Sequence, residues 1–580
     1  MKGLTHRWML CPEATGTPPL APSVEPLVAR VLAARGMGDQ PAISAFLDAR
    51  LTAMHEPSLL PDCDRAAQRI LHAVTTGQPV VVYGDYDVDG ICATSILFHA
   101  LRVIAPGADV RTYVPHRVDE GYGLHAPAMA ALAREGARVA VSVDCGVTAF
   151  EAAAAARAAG LDLIITDHHT IAPQGVPPDA YAVVHPRRPG SAYPFGELCG
   201  AAVAFKLAWR IATLAQGATR VSPPVRETLL DGLALAGMAT IADIVPLVGE
   251  NRIIAKNGLA RLKTCGNIGL RALIHAANLA GENIDSEQVG FILGPRINAC
   301  GRMGHARDAV ELMTTAAPDR AAELAAQLTR LNEQRRRTEK KIFDEARRMA
   351  EAAGMTRDDR RAIVLAGEGW HTGVVGIVCS RLIGAFHRPT ILLNRTADEC
   401  AGSGRSIDGF SLYDALHACS ARLTRFGGHD MAAGLALHPD SLDAFAEEFI
   451  RHATERLAPE ELTPSLRIDC AATTDEITIQ AARQLEAMGP AGRANPAPRL
   501  LLRELEIART PETVGSTGAH LAMFLRQGAR ELRVMGWGWG EKRDILRAGQ
   551  RLDAVVEPRL NRWNGRERVE AQLLDLALRA

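Results

Sequence analysis

Three aspartates, Asp85, Asp87 and Asp89, stand at alternate positions directly after an apolar run at residues 80–83. Like charges this close together repel one another, so the arrangement is costly unless a cation binds it. Carboxylate oxygens are the ligands that hard divalent cations prefer. An EF-hand calcium loop is the alternative, but its twelfth position would be Ile96, where that loop requires glutamate. The spacing therefore predicts a metal site of another kind.

Three further motifs with acidic or imidazole side chains follow apolar segments in the same way. They place Asp144, the pair His168 and His169, and Asp243 directly after such segments. Because the carboxyl ends of parallel strands lie at one edge of a sheet, we expect these side chains to converge on the three aspartates. Taken alone, paired histidines at a strand end fit a capping role as well as a ligand role.

Carboxylates with one or two imidazoles and no thiolate favour Mn²⁺ or Mg²⁺ over structural zinc. A carboxylate shared between two ions would hold them about 4 Å apart, and we expect two ions. Such a pair activates water and stabilises in-line displacement at phosphorus. The predicted chemistry is therefore phosphoester hydrolysis.

The elements that must position these residues are visible in the hydrophobic pattern. Between residues 79 and 185, short apolar runs alternate with Ala-rich helical stretches. The runs cover residues 80–83, 110–114, 139–143, 161–165 and 181–184. Continuous apolar strands that alternate with helices predict a mainly parallel sheet covered on both faces, so this part of the chain is assigned to the α/β class.

The pattern predicts five parts along the chain. The parallel-sheet domain at 61–250 is followed by a helical region with a long connecting helix, a smaller α/β domain, and a region of short strands typical of an OB-like β-barrel. The other four parts are the N-terminal extension 1–60, the helical region 251–355, the smaller α/β domain 356–440 and the barrel region 441–580.

Composition excludes several classes of protein. With 580 residues, 47% hydrophobic residues and a net charge of -1, the chain is expected to fold into several domains and to confine any basic surface to a local patch. Its 11 cysteines include no CxxC pair, which argues against zinc ribbons and a disulfide framework. No apolar stretch approaches the roughly 18 residues that a membrane span needs. A cytoplasmic protein without an export signal or membrane anchor is therefore expected.

The motifs DYDVDG, VDCG, DHH and ADIVP, in this order, resemble the signature of the DHH phosphoesterase superfamily, and specifically that of the RecJ exonucleases. The match continues through EGYGL, GPRINA, GWH and GGH, and covers residues 62–434. The resemblance implies a DHH domain, joined by the long helix to a DHHA1 domain that holds substrate across a cleft. It also implies 5′-to-3′ hydrolysis of single-stranded DNA in recombination and repair.

The resemblance assigns roles within what we term the acid–imidazole cluster, namely Asp85, Asp87, Asp89, Asp144, His168, His169 and Asp243. All seven are implied catalytic residues. Asp144 is the implied bridge between two ions, Asp85 is a ligand or a base behind the ligands, and His169 is better placed to touch phosphate than metal. The implied metal ligands are Asp87, Asp89, Asp144, His168 and Asp243.

Two glycine-rich segments carry groups suited to binding phosphate. They contain Ser403, Arg405, Gly428 and His429, and their composition alone fits ordinary loops. The resemblance to the DHHA1 domain favours contacts with phosphate near the terminal nucleotide.

A second polar set, Arg296, Asn298 and Arg302, is interpreted as contacts to the DNA backbone. The alternative is a buried network that fixes the helical region to the catalytic sheet. The arginines between residues 330 and 348 are expected on a solvated helix face, because acidic residues interleave with them.

The C-terminal region contains Trp537, Trp539 and Trp563 among many arginines. Aromatic platforms with basic side chains hold single strands without reading their sequence. The alternative is that these tryptophans fill the barrel core. The segment 489–496 resembles a glycine-rich RecJ motif but has Ala491 and Ala494 where an aromatic residue and a glycine are common, which leaves the conformation of this segment open.

Two other function classes stay open. One is a DHH-family phosphodiesterase acting on short oligonucleotides or cyclic dinucleotides, and the region beyond Ser465 argues against it. The other is a non-catalytic, Cdc45-like DNA-binding scaffold, and the fully occupied ligand positions argue against it. The expected partner is single-stranded DNA, with a helicase and a single-strand-binding protein as candidate protein partners and no membrane.

Overall fold

The computed structural model describes residues 2–12, 24–117, 120–171, 180–563 and 565–579. The chain divides into two compact units. The first unit comprises Ser44–Glu333 and Met488–Ala497, and the second comprises Met1–Ile43, Gln334–Ala487 and Pro498–Ala580. Within the described residues, no helix combines the length and the apolar character that crossing a bilayer requires.

Strands and helices are numbered separately along the chain. The strands are β1 (Arg7–Leu10), β2 (Val80–Gly84), β3 (Val110–Tyr113), β4 (Val139–Val143), β5 (Asp162–Thr166), β6 (Ala182–Val184), β7 (Ile363–Glu368), β8 (Thr390–Arg395), β9 (Cys400–Arg405), β10 (Arg425–His429), β11 (Ala432–Leu437), β12 (Ser465–Ile468), β13 (Cys470–Ala472), β14 (Leu500–Ile507), β15 (Glu512–Val514), β16 (His520–Gln527), β17 (Arg530–Gly536), β18 (Arg551–Trp563) and β19 (Arg566–Leu578). The helices are α1 (Pro26–Ala34), α2 (Gln40–Asp48), α3 (Cys63–Thr75), α4 (Val88–Ile104), α5 (Ala126–Arg134), α6 (Phe150–Ala158), α7 (Gly200–Gln216), α8 (Pro223–Ala242), α9 (Gly249–Leu262), α10 (Ile268–Ala276), α11 (Ser286–Gln288), α12 (Gly294–Met303), α13 (Ala306–Thr314), α14 (Pro318–Ala352), α15 (Thr372–Phe386), α16 (Leu412–Ala418), α17 (Leu442–Arg456) and α18 (Ile479–Ala487).

The first unit is built on a parallel sheet with the strand order β3-β2-β4-β5-β6, which confirms the predicted α/β class. Every residue of β2 and β4 is buried. Val80 and Val82 face a core that includes residues of α4, α7 and α8, whereas Val81 and Tyr83 face a core built with α5 and α6. Helices on both faces explain why these strands are apolar throughout instead of alternating.

The ends of three neighbouring strands set the position of the site. Gly84, the last residue of β2, is in register with Val143, the last residue of β4, and Val143 is in register with Thr166, the last residue of β5. Adjacent strands lie about 4.8 Å apart. The residues that follow each strand therefore begin side by side at one edge of the sheet.

The second unit contains a mixed sheet with the strand order β10-β11-β9-β8-β7. The glycine-rich segments around Ser403 and Gly428 lie on strands β9 and β10, so the expectation that they are loops is wrong. Glycine is tolerated here because of close packing: a Cβ atom at Gly402 would lie 2.0 Å from the carbonyl oxygen of Leu392 in the adjacent strand. Glycine clusters therefore marked tight strand packing in this domain.

The C-terminal part of the second unit is a β-barrel, as predicted. Strands pair in the order β13-β14-β18-β19-β17-β16-β15, and a further β14–β16 pairing closes a ring. Leu501 and Val555 pair across β14 and β18 and are buried. The pattern did not identify β19, because the strand begins with a run of charged residues, of which Arg566 and Arg568 are exposed.

The predicted long helix is α14, which ends two residues before Gly354. Gly354 has a φ of 65°, the left-handed conformation that favours glycine after a helix. Ion pairs four residues apart, such as Lys340–Asp344 and Arg347–Glu351, lie along its surface. These pairs fit the expected solvated face.

Candidate metal centre

The first acidic loop is shaped by the start of α4. The carboxylate of Asp87 caps this helix and accepts hydrogen bonds from the backbone N–H groups of Asp89 at 2.9 Å and Gly90 at 3.1 Å. A Cβ atom at residue 90 would lie 2.6 Å from the backbone of Asp85, so only glycine permits this fold of the loop. The loop thereby holds Asp85, Asp87 and Asp89 together at one helix end.

Asp89 is buried and is held by the start of a second helix. Its two carboxylate oxygens accept hydrogen bonds of 2.7 Å from the backbone N–H groups of Gly200 and Ala201, in the first turn of α7. A helix N-terminus stabilises a negative charge through its unpaired N–H groups and its dipole. Gly200 also packs on Asp144, since a Cβ atom there would lie 2.5 Å from Oδ1 of Asp144.

Asp144 follows β4 with a φ of 63°, in the left-handed region. Its Oδ1 is buried without a hydrogen-bond partner among the described residues, and the same holds for Oδ1 of Asp85 and Nε2 of His168. Buried polar atoms are normally satisfied, and leaving one unpaired costs about 1–3 kcal/mol. Three unpaired atoms of metal-ligand type in one place fit a bound cation.

The carboxylate of Asp167 orients the two histidines that follow it in the chain. One of its oxygens accepts hydrogen bonds from the backbone N–H of His168 at 2.7 Å and from Nδ1 of His169 at 2.8 Å. The other accepts one from the backbone N–H of Val147 at 2.9 Å. The predicted site set omitted Asp167, although the DHH motif itself contains it. Carboxylates that orient imidazoles in this way are expected behind metal ligands.

The acid–imidazole cluster converges around His168. Nε2 of His168 lies 3.2 Å from Oδ1 of Asp144, 3.7 Å from Oδ2 of Asp89 and 3.6 Å from Oδ2 of Asp243. Three groups have ligand atoms within 4.8 Å of one another: Asp89, His168 and Asp243; Asp85, Asp87 and Asp144; and Asp144, His168 and His169. The structure therefore brings all seven residues together, and Asp144 and His168 each belong to two of the three groups.

Electrostatics in the cluster favour a cation strongly. Burial and the nearby charge of Asp89 raise the pKa of Asp144 well above its usual range, and the same two causes raise the pKa of Asp243 to about 8. The pKa values of Asp85 and Asp87 are raised by burial and by their acidic neighbours. Burial and mutual repulsion thus oppose the ionised form of these carboxylates, and a bound cation would relieve both effects.

His169 differs from His168 in charge. Burial lowers the pKa of His168. Burial is also the largest single effect on His169, but the hydrogen bond to Asp167 and the charges of nearby aspartates together outweigh it and raise the pKa of His169 to about 9. The pKa of Asp167 falls to about 2 despite burial, because the hydrogen bond and charge of His169 and the hydrogen bond from Val147 together favour its ionised form. His169 is therefore a cation at neutral pH, with the Tyr122 hydroxyl 3.1 Å from its Nδ1.

The polar set on α12 packs against the acidic loop. Oδ1 of Asn298 accepts a hydrogen bond of 3.0 Å from the backbone N–H of Val88, and Nη1 of Arg296 donates to the carbonyl of Ile292 at 2.7 Å. The charge of Arg302 acts on the Tyr86 hydroxyl in that loop. These contacts are those expected of the network alternative, and contact of these residues with DNA stays a prediction.

The predicted phosphate-binding residues lie together in the second unit. Arg405 on β9 and His429 on β10 are both in register with Ala432 on β11, so the two lie at one end of the sheet. Nη2 of Arg405 and Oγ of Ser403 would lie 3.1 and 3.4 Å from a Cβ atom at Gly376 in α15. Gly428, whose φ is 142°, packs on the backbone of β11.

Residues 488–497 return from the C-terminal part of the chain to the first unit. The backbone N–H of Leu247, four residues after Asp243, donates to the carbonyl of Arg493 at 2.8 Å. The sequence pattern did not associate this segment with the site, since nothing local indicates where it folds. The resemblance of residues 489–496 to a glycine-rich RecJ motif was the signal that could have associated this segment with the site.

Replacing Ala494 with glycine is expected to stabilise the first unit by up to about 1 kcal/mol. Ala494 has a φ of 61°, a left-handed backbone conformation that is unfavourable for residues other than glycine. The shift in urea midpoint measures the effect. Ala154→Gly, on the exposed face of α6, is the control and should cost about 1 kcal/mol. Equal losses from both substitutions would contradict the backbone explanation.

Clustered acids and imidazoles on the carboxyl edge of this parallel sheet, followed by a smaller α/β domain and a barrel, define a protein of the DHH class. The DHH family N-terminal domain model matches residues 79–237, the DHHA1 domain model matches 359–455, and the RecJ OB domain model matches 468–575. A curated relative in Bacillus subtilis (strain 168), the single-stranded-DNA-specific exonuclease RecJ, is 37% identical over 560 residues. That alignment covers 96% of this chain and 68% of the relative. The chain belongs to the RecJ family.

Solved structures agree with this assignment. The crystal structure of RecJ in complex with Mn²⁺ from Thermus thermophilus has a TM-score of 0.80 and 30% identity, covering 98% of this chain and 79% of that one. The Mg²⁺ complex of RecJ from the same organism has a TM-score of 0.75 and 28% identity, covering 98% and 78% of the two chains. The predicted fold class and family resemblance are confirmed.

Proposed function

We propose that this protein is a divalent-metal-dependent exonuclease that hydrolyses phosphodiester bonds of single-stranded DNA from 5′ to 3′, in recombination and repair. The observation that carries this function is the set of buried, unpaired ligand atoms on Asp85, Asp144 and His168. The names of the relatives support the substrate, and the fold of the RecJ structures supports the arrangement of the domains. The 5′-to-3′ polarity of hydrolysis is inferred from the RecJ family alone.

Mn²⁺ or Mg²⁺, as two ions, fits the acid–imidazole cluster. The residues proposed to hold them are Asp87, Asp89, Asp144, His168 and Asp243, with Asp144 shared and Asp85 beside them. When bound, two such ions activate water and neutralise charge that develops on the phosphate. Hard carboxylate oxygens with a single neutral imidazole are the donor set these ions prefer.

His169 would act on the substrate. Its Nδ1 donates to Asp167, so the proton on Nε2 can face a phosphate oxygen or the leaving oxygen. Asp167 keeps the ring oriented and charged. A cation held at this position stabilises negative charge in the transition state and can supply a proton.

The terminal phosphate of the strand would bind in the second unit. Ser403 and Arg405 lie side by side against Gly376 in α15. A guanidinium beside a hydroxyl can donate several charge-assisted hydrogen bonds to one phosphate. Gly428 brings His429 to the same end of the sheet, and His429 is exposed. Arg296, Asn298 and Arg302 are proposed to contact the strand nearer the metal ions.

The barrel would hold the strand farther along. Trp537 and Trp563 are 56% and 74% exposed, whereas Trp539 is buried. We expect Trp537→Ala and Trp563→Ala each to weaken binding of single-stranded DNA about tenfold, because a base stacked on an aromatic ring contributes about 1–3 kcal/mol. Fluorescence anisotropy with a labelled oligonucleotide measures this. Tyr413→Ala, another exposed aromatic of the second unit outside the barrel, is the control; unchanged affinity in both tryptophan variants would leave only a structural role.

The functional division that accompanies this proposal places catalysis in 61–250, the helical connection in 251–355, terminal-phosphate binding in 356–440 and strand binding in 441–580, after an extension at 1–60. Work on single strands in the cytoplasm suits a helicase that supplies them and a single-strand-binding protein that coats them. Both are proposed as partners on the chemistry of the substrate.

Incubation of the purified protein with end-labelled oligonucleotides tests the function. A 5′-phosphorylated single strand should be degraded with Mn²⁺ or Mg²⁺ and be untouched with chelator. A blunt duplex of the same sequence should persist, and a label at the 5′ end should be released first as a mononucleotide. Cleavage of cyclic dinucleotides with intact single strands, or no metal-dependent cleavage, would contradict the proposal.

The pH dependence of metal binding provides an independent prediction. The pKa of Asp243 is raised from 3.8 to about 8, so the stability that its protonated form contributes is present below about pH 4 and is lost as the pH rises towards 8. Mn²⁺ competes with this proton, so its affinity should rise about tenfold per pH unit below 8. Thermal melting with Mn²⁺ or chelator at pH 6, 7 and 8.5 measures the growing shift. In Asp243→Asn the Mn²⁺-induced shift in melting temperature should depend less on pH. A wild-type shift that becomes smaller as the pH rises would contradict the role of Asp243 as a metal ligand.

A further inference from the structure

Three segments that are distant in the sequence meet beside Asp243. They are the turn at residues 244–248, the helical segment from Ser286 to Leu293, and the loop at 488–497. The carbonyl of Ala491 accepts a hydrogen bond of 2.8 Å from Oγ of Ser286. The carbonyl of Arg493 accepts one from the backbone N–H of Leu247, also at 2.8 Å. The loop therefore joins the turn after a proposed metal ligand to the helical segment.

The loop is held firmly by buried side chains. Nη1 of Arg252 donates to the carbonyl of Met488 at 2.7 Å. Asn495 is buried, and its amide donates to the carbonyls of Met488 at 3.0 Å and Pro490 at 2.9 Å. A Cβ atom at Gly492 would lie 2.6 Å from a methyl group of Leu247. These contacts give Arg493 a fixed backbone position next to the metal centre.

Large apolar side chains are exposed on two of these segments. Phe291 is 80% exposed, and Ile244, which directly follows Asp243, is 64% exposed. Phe291 lies in a π-helical stretch, Val289–Leu293, a rare form that frequently occurs at functional sites. That stretch runs into Gly294, where a Cβ atom would lie 3.6 Å from the Cβ of Ala242. The exposed ring is thus carried by an element that packs beside Asp243.

The basic group of this surface is Arg493. Its side chain is exposed, and its backbone carbonyl accepts the hydrogen bond from Leu247 in the turn that follows Asp243. The side chain of Arg493 therefore starts beside the turn that follows a proposed metal ligand. An exposed cation and exposed apolar side chains on three joined segments match the two chemical parts of a nucleotide, a negatively charged phosphate and a base with an apolar face.

We propose that Ile244, Phe291 and Arg493 form a nucleotide subsite that holds a nucleotide of the single strand adjacent to the phosphodiester under attack. Phe291 stacks on the base, Ile244 contacts its edge, and Arg493 pairs with the phosphate. Stacking on an aromatic ring accepts every base, so this subsite is independent of sequence. The assignment rests on the proposed function, because it takes its ligand to be the strand that the metal centre cleaves.

Binding and hydrolysis are measured separately to test the subsite. Binding of labelled 20-nucleotide strands is followed by anisotropy with Mn²⁺ in an Asp144→Asn background, and KM and kcat are measured with otherwise wild-type protein. We expect Phe291→Ala to weaken binding and to raise KM about tenfold, with kcat changed less. A single abasic nucleotide, moved along the strand, should weaken binding by a similar factor at one position. In Phe291→Ala the abasic nucleotide at that position should have no further effect.

The proposed contact of Arg493 with a phosphate is tested by the salt dependence of DNA binding. Arg493→Gln should reduce the slope of log Kd against log salt concentration by about one, and Arg493→Lys should restore it. Leu59→Ala and Arg271→Gln are matched controls: both side chains are exposed in the first unit and lie on none of the three segments. They should leave binding, KM and the salt slope unchanged.

The outcomes distinguish the subsite from the proposed function. If the protein cleaves single strands while Phe291→Ala and Arg493→Gln bind and cleave as the wild type does, the subsite is refuted and the function stands. If the wild type cleaves no strand, but Phe291→Ala weakens binding of the intact strand and abolishes the effect of an abasic nucleotide at one position, the function fails and the subsite stands. An abasic nucleotide with equal effects in the wild type and in Phe291→Ala would also refute the stacking role.

Discussion

Asp144→Asn is expected to lower kcat on single-stranded DNA by on the order of 1000-fold or more. Charge stabilisation by metal ions contributes several kcal/mol, and each 1.36 kcal/mol corresponds to a factor of ten in rate. Asp144 belongs to two of the three ligand groups, as does His168. Because Asp144 is the proposed shared ligand, its loss would disturb both ions. End-labelled strands and a direct measurement of Mn²⁺ binding check the two parts of this expectation.

The fold should survive this substitution. Asn is among the few residues that readily adopt the left-handed conformation in which Asp144 stands, with its φ of 63°. Removing a carboxylate whose ionisation is opposed by burial and by Asp89 should also raise the melting temperature in chelator. Ser142→Ala, which removes a hydroxyl bonded to the carbonyl of Cys145 beneath the same turn, is a control for general loosening of the turn.

Wild-type turnover by Asp144→Asn would refute the shared-ligand assignment. Loss of both activity and the cooperative melting transition would instead show a folding defect. Only loss of activity with an intact transition and weakened Mn²⁺ binding supports the role proposed for Asp144.

His169→Gln is expected to lower kcat by about 100- to 1000-fold while leaving Mn²⁺ binding nearly intact, because positioned acid–base groups contribute about 10²–10⁴. The pKa of His169 is raised to about 9, so its proton is present below that pH and is lost above it. Wild-type activity should therefore fall as the pH rises through about 9. The pH profile of His169→Gln should lack this fall.

Two comparisons sharpen the His169 experiment. Tyr122→Phe removes the hydroxyl that lies 3.1 Å from Nδ1 of His169 and should have a smaller effect on kcat. His275→Gln, on an exposed position of α10, should have none. If His169→Gln loses Mn²⁺ binding in parallel with activity, His169 is a metal ligand and its proposed role is wrong.

Sequence alone determined the framework of the site. Buried runs such as 139–143 have lengths and compositions that fit strands covered on both faces, and the observed β4 has those bounds. Once strands are parallel, their carboxyl ends must share one edge, which brings Asp85, Asp144 and His168 together without any detailed packing. The predicted parallel sheet, the long helix and the barrel follow from local periodicity in the same way.

Other features required the tertiary structure. The orienting role of Asp167, the contact of Asn298 with the acidic loop and the return of residues 488–497 to Leu247 all join groups that lie on different elements. Glycines around Ser403 suggested loops, because composition does not show that a neighbouring strand lies too close for a side chain.

There is a physical reason why the sequence determined some of these features and only the tertiary structure decided the others. Hydrophobic periodicity is imposed on each element by its own burial, so it can be seen in a short stretch of sequence. Hydrogen bonds and charge contacts between distant segments depend on where the whole chain brings them, and they leave no periodic trace. The sequence thus determined which groups can bind a cation, and the tertiary structure decided which residues orient them and which surface lies beside them.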